Sequence, residues 1–518
     1  MLVSLLTSGL PHLSAAAESV TFASPSIDWH ALAPEIVLTA TVVVVLLVDL
    51  FTAEHNKWLT PSIAGLGLLA ALIPVITLAV DGSTRSMFGG AYVVDDFALV
   101  MKALFLIAGY VTVLLSNHYI AEGDYWEGEY YLLLVSSVLG MTLMGSARDL
   151  ITMFVALELL SIPAYLLAGW RKRELSGNEA GMKYYLMGVF ASAVMLYGMS
   201  LIYGGTGTTV LAEIGEQMSG SFGDTPVAAL GIVFVLVGFG FKVSAVPFHN
   251  WAPDTYEGAP TPITAFLSVA SKAAGFVAIL QLIFVAFYGR DDVYGPMMWA
   301  LAALTMTVGN LIALRQTNVV RLFAYSSVAQ AGFILAPLAV AGHSPEISEG
   351  VIQAVVTYLV IYTAMNLGAF AVIIAVSRKT RSGELESWGG LFEYAPGLTV
   401  MMTVFLFALA GIPPLGGWFA KFQVFRSILA DGSISAAILA VVVAVNSVIA
   451  LFYYANVARL MWFQSVPDGD RNPIKVPAAI NIALAICVVS TVVSGVFPGT
   501  IGHFSSVATD LAAVALGR

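Results

Sequence analysis

Residues 238–266 read GFGFKVSAVPFHNWAPDTYEGAPTPITAF, and this stretch decides the fold. An apolar run contains a lysine, Lys242, and five residues later a proline, Pro247. Proline has no N–H to donate, so in a helix it leaves the carbonyl of Val243 unpaired and clashes with it. Inside hydrocarbon such a carbonyl is tolerated only where it faces protein or a water-filled cavity. The stretch therefore predicts a helix that is broken at membrane depth, next to a buried cation.

The composition of the whole chain requires a membrane. Of the 518 residues, 59% are hydrophobic and 10% are charged, whereas about 25% of the residues of a soluble protein are charged. A helix that crosses ~30 Å of hydrocarbon needs roughly 20 apolar residues. The chain is therefore predicted to be an all-α, polytopic integral membrane protein with about 14 transmembrane helices, at 30–50, 58–80, 95–116, 130–146, 148–170, 180–203, 227–248, 262–288, 296–314, 320–341, 352–377, 398–428, 436–463 and 474–497.

The distribution of Lys and Arg predicts the orientation of these spans. Loops after even-numbered spans hold three such residues, Arg85, Arg148 and Arg290. Loops after odd-numbered spans hold twelve: Lys57, Arg171, Lys172, Arg173, Arg315, Arg321, Arg378, Lys379, Arg381, Arg459, Arg471 and Lys475. Because cytoplasmic loops are enriched in Lys and Arg, both termini are expected on the outer side of the membrane. Residues 1–29 contain no Lys or Arg, so we expect no cleaved signal peptide there.

The motifs exclude several kinds of cofactor site. The single cysteine, Cys487, cannot build a disulfide, a zinc cluster or an iron–sulfur cluster within this chain. There is no GxxxxGK[ST] phosphate loop, and no GxGxxG follows a strand. We therefore expect no cofactor and no metal in this chain, and no nucleic acid among its partners.

Six cations fall inside the predicted spans, where an isolated charge costs at least ~2.5–3.5 kcal/mol: Lys102, Lys183, Lys242, Lys272, Lys421 and Arg426. A long side chain near a helix end can extend to the interface, which is the interpretation we favour for Lys102 and Arg426. For Lys183 depth alone leaves both interpretations open. Lys242 and Lys272 have apolar turns on both sides, which favours a functional role.

One carboxylate lies in the middle of the fifth span. The segment 149–170 reads DLITMFVALELLSIPAYLLAGW, with Glu158 about midway. Lys183 on the next span is its predicted partner. Such a pair either stabilises the fold or couples two protonation states in a medium of low dielectric constant, and the sequence leaves both open.

Lys242 and His249 are seven residues apart, so in a continuous helix they would share one face. Histidine titrates near neutral pH, and burial in an apolar environment favours the neutral form of an amine. A polar pocket for proton exchange is therefore one interpretation of the segment, and a purely structural proline kink is the other.

A second break is predicted in the twelfth span, where 407–422 read FALAGIPPLGGWFAKF. Pro413 and Pro414 would free the carbonyls of Leu409 and Ala410. Glycines at 411, 416 and 417 allow the chain to unwind, and Lys421 follows on the second half-helix.

The two breaks predict an internal symmetry. The seventh span runs from outside to inside and the twelfth in the opposite direction, and each carries a lysine; broken helices in corresponding positions are typical of inverted repeats. The predicted organisation is an N-terminal three-helix segment (1–127), two inverted five-helix repeats (128–292 and 293–465), and a fourteenth helix with a tail (466–518).

Three stretches resemble the antiporter-like membrane subunits of respiratory complex I: 241–276 (FKVSAVPFHNWAPDTYEGAPTPITAFLSVASKAAGF), 314–333 (LRQTNVVRLFAYSSVAQAGF) and 411–422 (GIPPLGGWFAKF). The resemblance extends over about 30–497. The segment 254–266 separates the chain from the subunits L and M of that family.

The resemblance implies roles for individual residues. The resemblance places six residues on a proton path. They are the glutamate of helix five (Glu158), the lysine of helix six that pairs with it (Lys183), the lysines of helices seven, eight and twelve (Lys242, Lys272 and Lys421), and the histidine of Pro-Phe-His (His249). Pro34-Glu35 and Asp95-Asp96 also resemble the family, and for them we expect a structural or interface role.

The resemblance also implies a setting: the inner membrane of a bacterium, with proton translocation driven by quinone reduction in partner subunits. FMN, iron–sulfur clusters and quinone are then expected in those partners. The neighbours are expected to be other membrane-arm subunits, among them another antiporter-like subunit and small membrane subunits, together with lipids.

Three other functions were weighed. A subunit of an Mrp-type cation/proton antiporter shares the fold and the lysines, but segment 254–266 argues against it. A haem or quinone oxidase needs axial ligands, and only His249 lies near a broken-helix core among His12, His30, His55, His118, His249, His343 and His503. The third alternative is a structural spacer within the complex. The row of titratable residues inside the spans argues against it but leaves it open.

Overall fold

The computed structural model describes residues 26–52, 56–123, 127–467, 469–509 and 511. The expectation about a signal peptide concerns mainly residues 1–25, which lie outside the described residues, as do His12, His55 and the last seven residues of the chain. The side assigned to the two termini therefore concerns chain ends that the structure does not describe.

The N-terminal half begins with six long helices. They are α1 (Ala33–Phe51), α2 (Leu59–Asp81), α3 (Asp96–Glu122), α4 (Glu127–Ser146), α5 (Leu150–Ala168) and α6 (Leu175–Thr206). Between α2 and α3 a small antiparallel hairpin joins β1 (Arg85–Met87) to β2 (Tyr92–Val94) through a 3-10 turn, Phe88–Gly90. A short amphipathic helix, α7 (Leu211–Met218), follows α6.

Three helices form the first broken region and its neighbour. They are α8 (Pro226–Lys242), α9 (Trp251–Gly258) and α10 (Thr261–Ala286). Helix α10 contains two π-helical segments, Leu267–Ser271 and Leu282–Ala286. All of the residues of its most apolar window are buried inside the protein.

The C-terminal half contains α11 (Asp291–Ala313), α12 (Val319–Val340), α13 (Pro345–Thr380), α14 (Pro396–Ala410), α15 (Gly416–Leu429), α16 (Ile434–Phe463), α17 (Ala478–Val496) and α18 (Pro498–Val507). The last five residues of α12 are 3-10 helical. A 3-10 turn (Tyr288–Arg290) precedes α11, and another (Leu385–Trp388) with a one-turn helix (Leu391–Tyr394) connects α13 to α14.

Twelve of the described helices are long and apolar enough to cross a membrane. Two shorter apolar helices, α8 and α14, are the first halves of the predicted seventh and twelfth spans. The prediction of an α-helical, polytopic membrane protein is therefore confirmed, with the small hairpin as an addition that the sequence analysis did not foresee. Three residues of sequence per strand carry too little periodicity to predict a strand.

The fourth and fifth spans are separate helices because Asp149 caps the second of them. Its side chain accepts hydrogen bonds from the backbone N–H groups of Ile151 and Thr152, both at 2.9 Å. An N-terminal cap satisfies donors that would otherwise be unpaired in hydrocarbon. The preceding residue, Arg148, is buried and pairs with Asp95 at 2.6 Å, which attaches this turn to the start of α3.

A second buried ion pair connects α1 to α3. The ammonium of Lys102 lies 2.9 Å from the carboxylate of Glu35 and donates to the hydroxyl of Tyr92 at 2.8 Å. The Lys102 side chain is fully buried, so the expectation that it extends to the interface is wrong. A carboxylate on the neighbouring helix compensates its charge and makes burial less costly than the position in the sequence suggests.

We predict that Glu35→Gln destabilises the assembled protein by about 3–5 kcal/mol, because it leaves the Lys102 ammonium buried without its counter-ion. Thermal unfolding of the purified complex measures the change. The matched double variant Glu35→Gln/Lys102→Met removes both charges and is expected to recover most of the loss. Equal destabilisation by the single and the double variant would contradict the assignment.

Candidate functional site

The first break lies where Pro247 is expected to interrupt the helix. Helix α8 ends at Lys242, directly before the carbonyl that Pro247 cannot satisfy, and α9 begins at Trp251. The backbone of the break is held by side chains: the N–H of Val246 donates to Thr305 Oγ1 at 2.9 Å, and the indole N–H of Trp251 donates to the carbonyl of Phe241 at 3.2 Å. The break is thus a fixed part of the packed interior.

His249 lies in the break itself. The prediction that it shares a helix face with Lys242 is wrong, because no helix connects the two residues. Its side chain is buried, and its Nδ1 has no hydrogen-bond partner among the described residues. It remains a polar group at the centre of the protein, available to a water or to a proton.

Lys242 is buried at the end of α8, between three helices. Its ammonium donates to Ser161 Oγ on α5 at 2.8 Å and lies 3.5 Å from the hydroxyl of Tyr184 on α6. Its stem packs against Gly275 of α10, where an added Cβ would lie 3.1 Å from Lys242 Cγ. Gly275 is one helical turn beyond Lys272, so the stem of Lys242 lies beside the turn of α10 that follows Lys272.

Lys272 is buried directly after the first π-helical segment of α10. Its ammonium donates to the hydroxyl of Ser327 on α12 at 2.5 Å and to the carbonyl of the same residue at 3.1 Å. The ring of Tyr256 lies 5.7 Å from the ammonium. π-helical segments inside α-helices often mark functional positions, because the extra residue redirects a side chain.

The second break satisfies both of the predicted free carbonyls. Helix α14 ends at Ala410 and α15 begins at Gly416. The ammonium of Lys421 donates to the carbonyl of Ala410 at 2.8 Å, and Gln330 Nε2 donates to the carbonyl of Leu409 at 3.2 Å. At this break, both carbonyls that the prolines leave without an N–H partner are thus taken by buried side chains.

Gly411 is required at this break for two reasons. Its φ of 90° lies in the left-handed region, which residues other than glycine rarely adopt. An added Cβ would also lie 2.8 Å from Lys421 Cδ. The absence of a side chain at position 411 therefore lets the lysine fold back over the end of α14 and reach Ala410.

Neutral polar residues on α12 connect the region of Lys272 to the second break. Ser327 holds Lys272, and Gln330, one turn further along the helix, reaches the second break. Gln330 also donates to the hydroxyl of Tyr454 at 3.2 Å and accepts from that of Tyr358 at 2.5 Å. Sequence analysis missed these residues, because serine, glutamine and tyrosine occur in many membrane helices without carrying a charge that marks them.

Glu158 and Lys183 do not form the predicted ion pair. The carboxylate of Glu158 accepts a hydrogen bond from Ser192 Oγ on α6 at 2.7 Å. Lys183 is on the same helix but nine residues earlier, which corresponds to ~13.5 Å along the helix axis. That rise is longer than the lysine side chain can span, so the prediction of this pair is wrong.

Lys183 belongs to a charged cluster instead. Its half-exposed ammonium lies 2.6 Å from Glu179 and 2.6 Å from Asp254. The other oxygen of Asp254 pairs with Arg321 at 2.9 Å, and Arg321 also pairs with Glu257 at 2.7 Å. These contacts join α6, α9 and α12 at one end of the bundle.

A cavity of about 590 Å³ opens at the end of the bundle where α13 begins and α15 ends. Glu349 and Gln353 of α13 and Gln423 and Arg426 of α15 are among its lining residues. Arg426 is exposed, in agreement with its predicted position near the interface. The distribution of Lys and Arg in the loops predicts that this end faces the outer side of the membrane, so we call this opening the outer cavity.

The geometry assembles Glu158, Lys242, His249, Lys272 and Lys421 in or beside the two breaks, and it places Lys183 at one end of the bundle. Among the described residues no group of three His, Cys, Asp or Glu side chains is arranged to hold a metal ion.

Two broken helices with buried amines define the class: an antiporter-like membrane subunit. Residues 147–449 match the family described as NADH:quinone oxidoreductase/Mrp antiporter, TM. The chain is 39% identical over 490 residues to the NADH-quinone oxidoreductase subunit N of Trichlorobacter lovleyi, which covers 94% of this chain and 98% of that protein. This chain belongs to the NADH-quinone oxidoreductase subunit N family.

Solved structures agree with the fold. A chain of respiratory complex I from Thermus thermophilus is 31% identical, with a TM-score of 0.74 over 91% of this chain and 98% of that chain. A chain of the Mrp complex from Dietzia sp. is 21% identical, with a TM-score of 0.82 over 94% of this chain and 100% of that chain. At that identity the Mrp likeness shows a shared fold alone.

We predict that Gln330→Leu destabilises the assembled protein by about 1–3 kcal/mol, because the carbonyl of Leu409 loses its partner in a buried position. Thermal unfolding of the complex measures the change. Gln316→Leu is the matched control: its amide bonds a carbonyl of its own helix end and is partly exposed, and such a change costs within ~0.5 kcal/mol. Equal effects of the two variants would argue against the role of Gln330.

Proposed function

We propose that this chain is a proton-translocating membrane-arm subunit of an NADH–quinone oxidoreductase and that protons move along its buried polar groups. The observation that carries the proposal is the set of partners of three buried amines. Lys242 bonds a serine hydroxyl, Lys272 a serine hydroxyl and a carbonyl, and Lys421 a carbonyl. In the part of the chain that the structure describes, none of the three forms an ion pair.

Hydroxyl partners suit a group that changes its protonation state. A serine hydroxyl accepts a hydrogen bond from an ammonium and donates one to a neutral amine. Ser161 and Ser327 therefore support both states of Lys242 and Lys272. The pair Lys102–Glu35 is the opposite case, because deprotonation of its amine would leave a carboxylate buried without its counter-ion.

Charges on neighbouring groups couple the steps. Glu158 lies one helical turn before Ser161, which accepts a hydrogen bond from Lys242, and Lys242 packs beside the helix turn that follows Lys272. Like charges in a medium of low dielectric constant disfavour each other, so a proton on one lysine weakens the hold of the next. A change in the charge of Glu158 then shifts the protonation of Lys242 and, in turn, that of Lys272 and His249. The proton finally moves towards Lys421 and the outer cavity.

The driving force comes from outside this chain. Moving one charge against 100 mV costs about 2.3 kcal/mol, and the sequence contains no motif for a nucleotide or a redox cofactor. We infer that quinone reduction in partner subunits, which carry FMN and iron–sulfur clusters, provides the energy. The partners are other membrane-arm subunits, among them a neighbouring antiporter-like subunit and small membrane subunits, with lipids around them.

We also infer the orientation and the internal symmetry. The charge asymmetry of the loops supports termini on the outer side of a bacterial inner membrane. It also supports an inner position for the cluster of Lys183 and Asp254, which lies on α6 and α9. Breaks of opposite direction, each with a buried lysine, support two inverted repeats at 128–292 and 293–465.

The alternative is an Mrp-type cation/proton antiporter subunit, which the shared fold and the buried lysines support. The two functions differ in their partners. Co-purification of this chain with a peripheral arm that oxidises NADH supports the first, and co-purification with Mrp-type subunits alone would support the second.

The central test is Lys242→Ala in the assembled complex. We expect quinone-linked proton pumping in vesicles to fall about tenfold or more, because a positioned proton carrier contributes at least that much to a rate. Assembly is verified by subunit content, and Lys475→Ala, which removes an exposed lysine, is the control with normal pumping. Unchanged pumping by a fully assembled Lys242→Ala complex would refute the role of Lys242.

Glu158→Gln tests the coupling. The amide oxygen of glutamine still accepts the hydrogen bond from Ser192, so the substitution removes the charge and keeps the contact. We expect fewer protons pumped per electron transferred, measured by simultaneous recording of quinone reduction and proton uptake. A normal proton-to-electron ratio would count against Glu158 as a coupling group.

A further inference from the structure

A second cavity, of about 450 Å³, opens at the end of the bundle opposite the outer cavity. It lies between α3, α10, α12 and α13; Thr261, Val320 and Ile374 are among its lining residues. Its rim carries carboxylates held beside arginines: Glu122 pairs with Arg378, and Glu174 with Arg171. By the distribution of cations this is the inner side of the membrane.

A polar site lies deeper in the protein above this cavity. On α13, Asn366 is buried; its Nδ2 donates to Ser268 Oγ at 2.7 Å, and its Oδ1 has no hydrogen-bond partner among the described residues. Ser268 belongs to the π-helical segment of α10, one turn before Lys272. An unpaired buried amide oxygen costs about 1–3 kcal/mol, which a bound water removes.

One layer of aromatic rings separates the cavity from this polar site. Phe323 of α12 and Phe370 of α13 meet edge to face with ring centroids 5.6 Å apart, and both are fully buried.

Helix periodicity places the layers in order. On α13, Ile374, Phe370 and Asn366 are four residues apart and share one face, each ~6 Å further into the protein. On α12, Val320, Phe323 and Ser327 follow the same order from the cavity to the partner of Lys272. A path from the cavity wall to Lys272 thus first meets the two phenylalanines and then the polar groups of Asn366, Ser268 and Ser327.

We propose that this inner cavity is a proton-uptake vestibule for Lys272, with a water site at Ser268 and Asn366, and that Phe323 and Phe370 are the gate between the two. Rings at this position exclude water when they are in contact and admit it when one of them turns aside. The proposal rests on the proposed function for the identity of Lys272 as proton acceptor. It adds an entrance separate from the first break, where the ring of Tyr184 stacks on those of Trp251 and Phe241.

The test measures access of water to cysteines placed along the route. The only native cysteine of this chain, Cys487, is buried, so labelling is measured on this subunit after separation from its partners, with the unmodified chain as the unlabelled background. Inside-out vesicles are treated with a charged methanethiosulfonate reagent, which reacts with thiols in water. Ser377→Cys lies at the cavity wall, and Ser268→Cys at the proposed water site. Val448→Cys, on the exposed apolar face of α16, is the control in hydrocarbon.

We expect Ser377→Cys to react and Val448→Cys to stay unlabelled. Ser268→Cys is expected to react at least about tenfold more slowly than Ser377→Cys, which corresponds to a barrier of ~1.4 kcal/mol or more. Phe370→Ala removes one ring of the gate. It is expected to bring the labelling rate of Ser268→Cys close to that of Ser377→Cys and to leave Val448→Cys unlabelled. If Phe370→Ala prevents assembly, Phe323→Leu provides the same comparison with a smaller change.

Rapid labelling of Ser268→Cys with both phenylalanines intact would overturn the gate, and no labelling of Ser268→Cys in either gate variant would overturn the route. These outcomes are independent of pumping. If Lys242→Ala and Lys272→Ala both pump normally while the labelling pattern is as expected, the proposed function fails, and the gated water route stands without a role in proton uptake. If the labelling fails while Lys242→Ala abolishes pumping, the proposed function stands and the vestibule is wrong.

Discussion

A backbone carbonyl without a partner is the constraint on which this structure depends. Pro247, Pro413 and Pro414 each remove an N–H from a helix that lies in hydrocarbon, where water does not replace it. At the second break two side chains, those of Lys421 and Gln330, take over the two free carbonyls. A cation placed at such a break gains a strong acceptor at a depth where acceptors are rare. At the first break the ammonium of Lys242 bonds a serine hydroxyl instead, so the two breaks hold their amines by different acceptors.

The partner of each amine decides what the amine does. Lys102 faces a carboxylate, and the pair fixes α1 against α3 as a permanent contact. Lys242 and Lys272 face hydroxyl groups, which accept or donate as the protonation state requires. Lysines of similar burial thus have different partners, a carboxylate for Lys102 and hydroxyl groups for Lys242 and Lys272, and this difference supports the different roles proposed for them. The distinction lies in chemistry that only the three-dimensional contacts reveal.

Much of the fold follows from the sequence, because apolar length and proline positions are local properties. The ends of α8 and α14 lie where the proline rule puts them, and the separation of α4 from α5 follows from the cap at Asp149. The same reasoning identified the lysines at both breaks. It failed for contacts between distant segments: Lys102 was assigned to the interface, and Lys183 to Glu158. Ser161, Ser327 and Gln330 were not identified, because a neutral polar residue acquires its meaning only from the amine or carbonyl that it meets.

Helix α13 has 36 residues, and at 1.5 Å per residue it is ~54 Å long, well beyond the ~30 Å of the hydrocarbon layer. Its first turns wall the outer cavity and its last turns wall the inner one. A rigid rod with a cavity at each tip behaves as a lever. A small tilt about its middle would widen the opening at one tip and narrow the opening at the other, so a single helix couples the shapes of the two cavities.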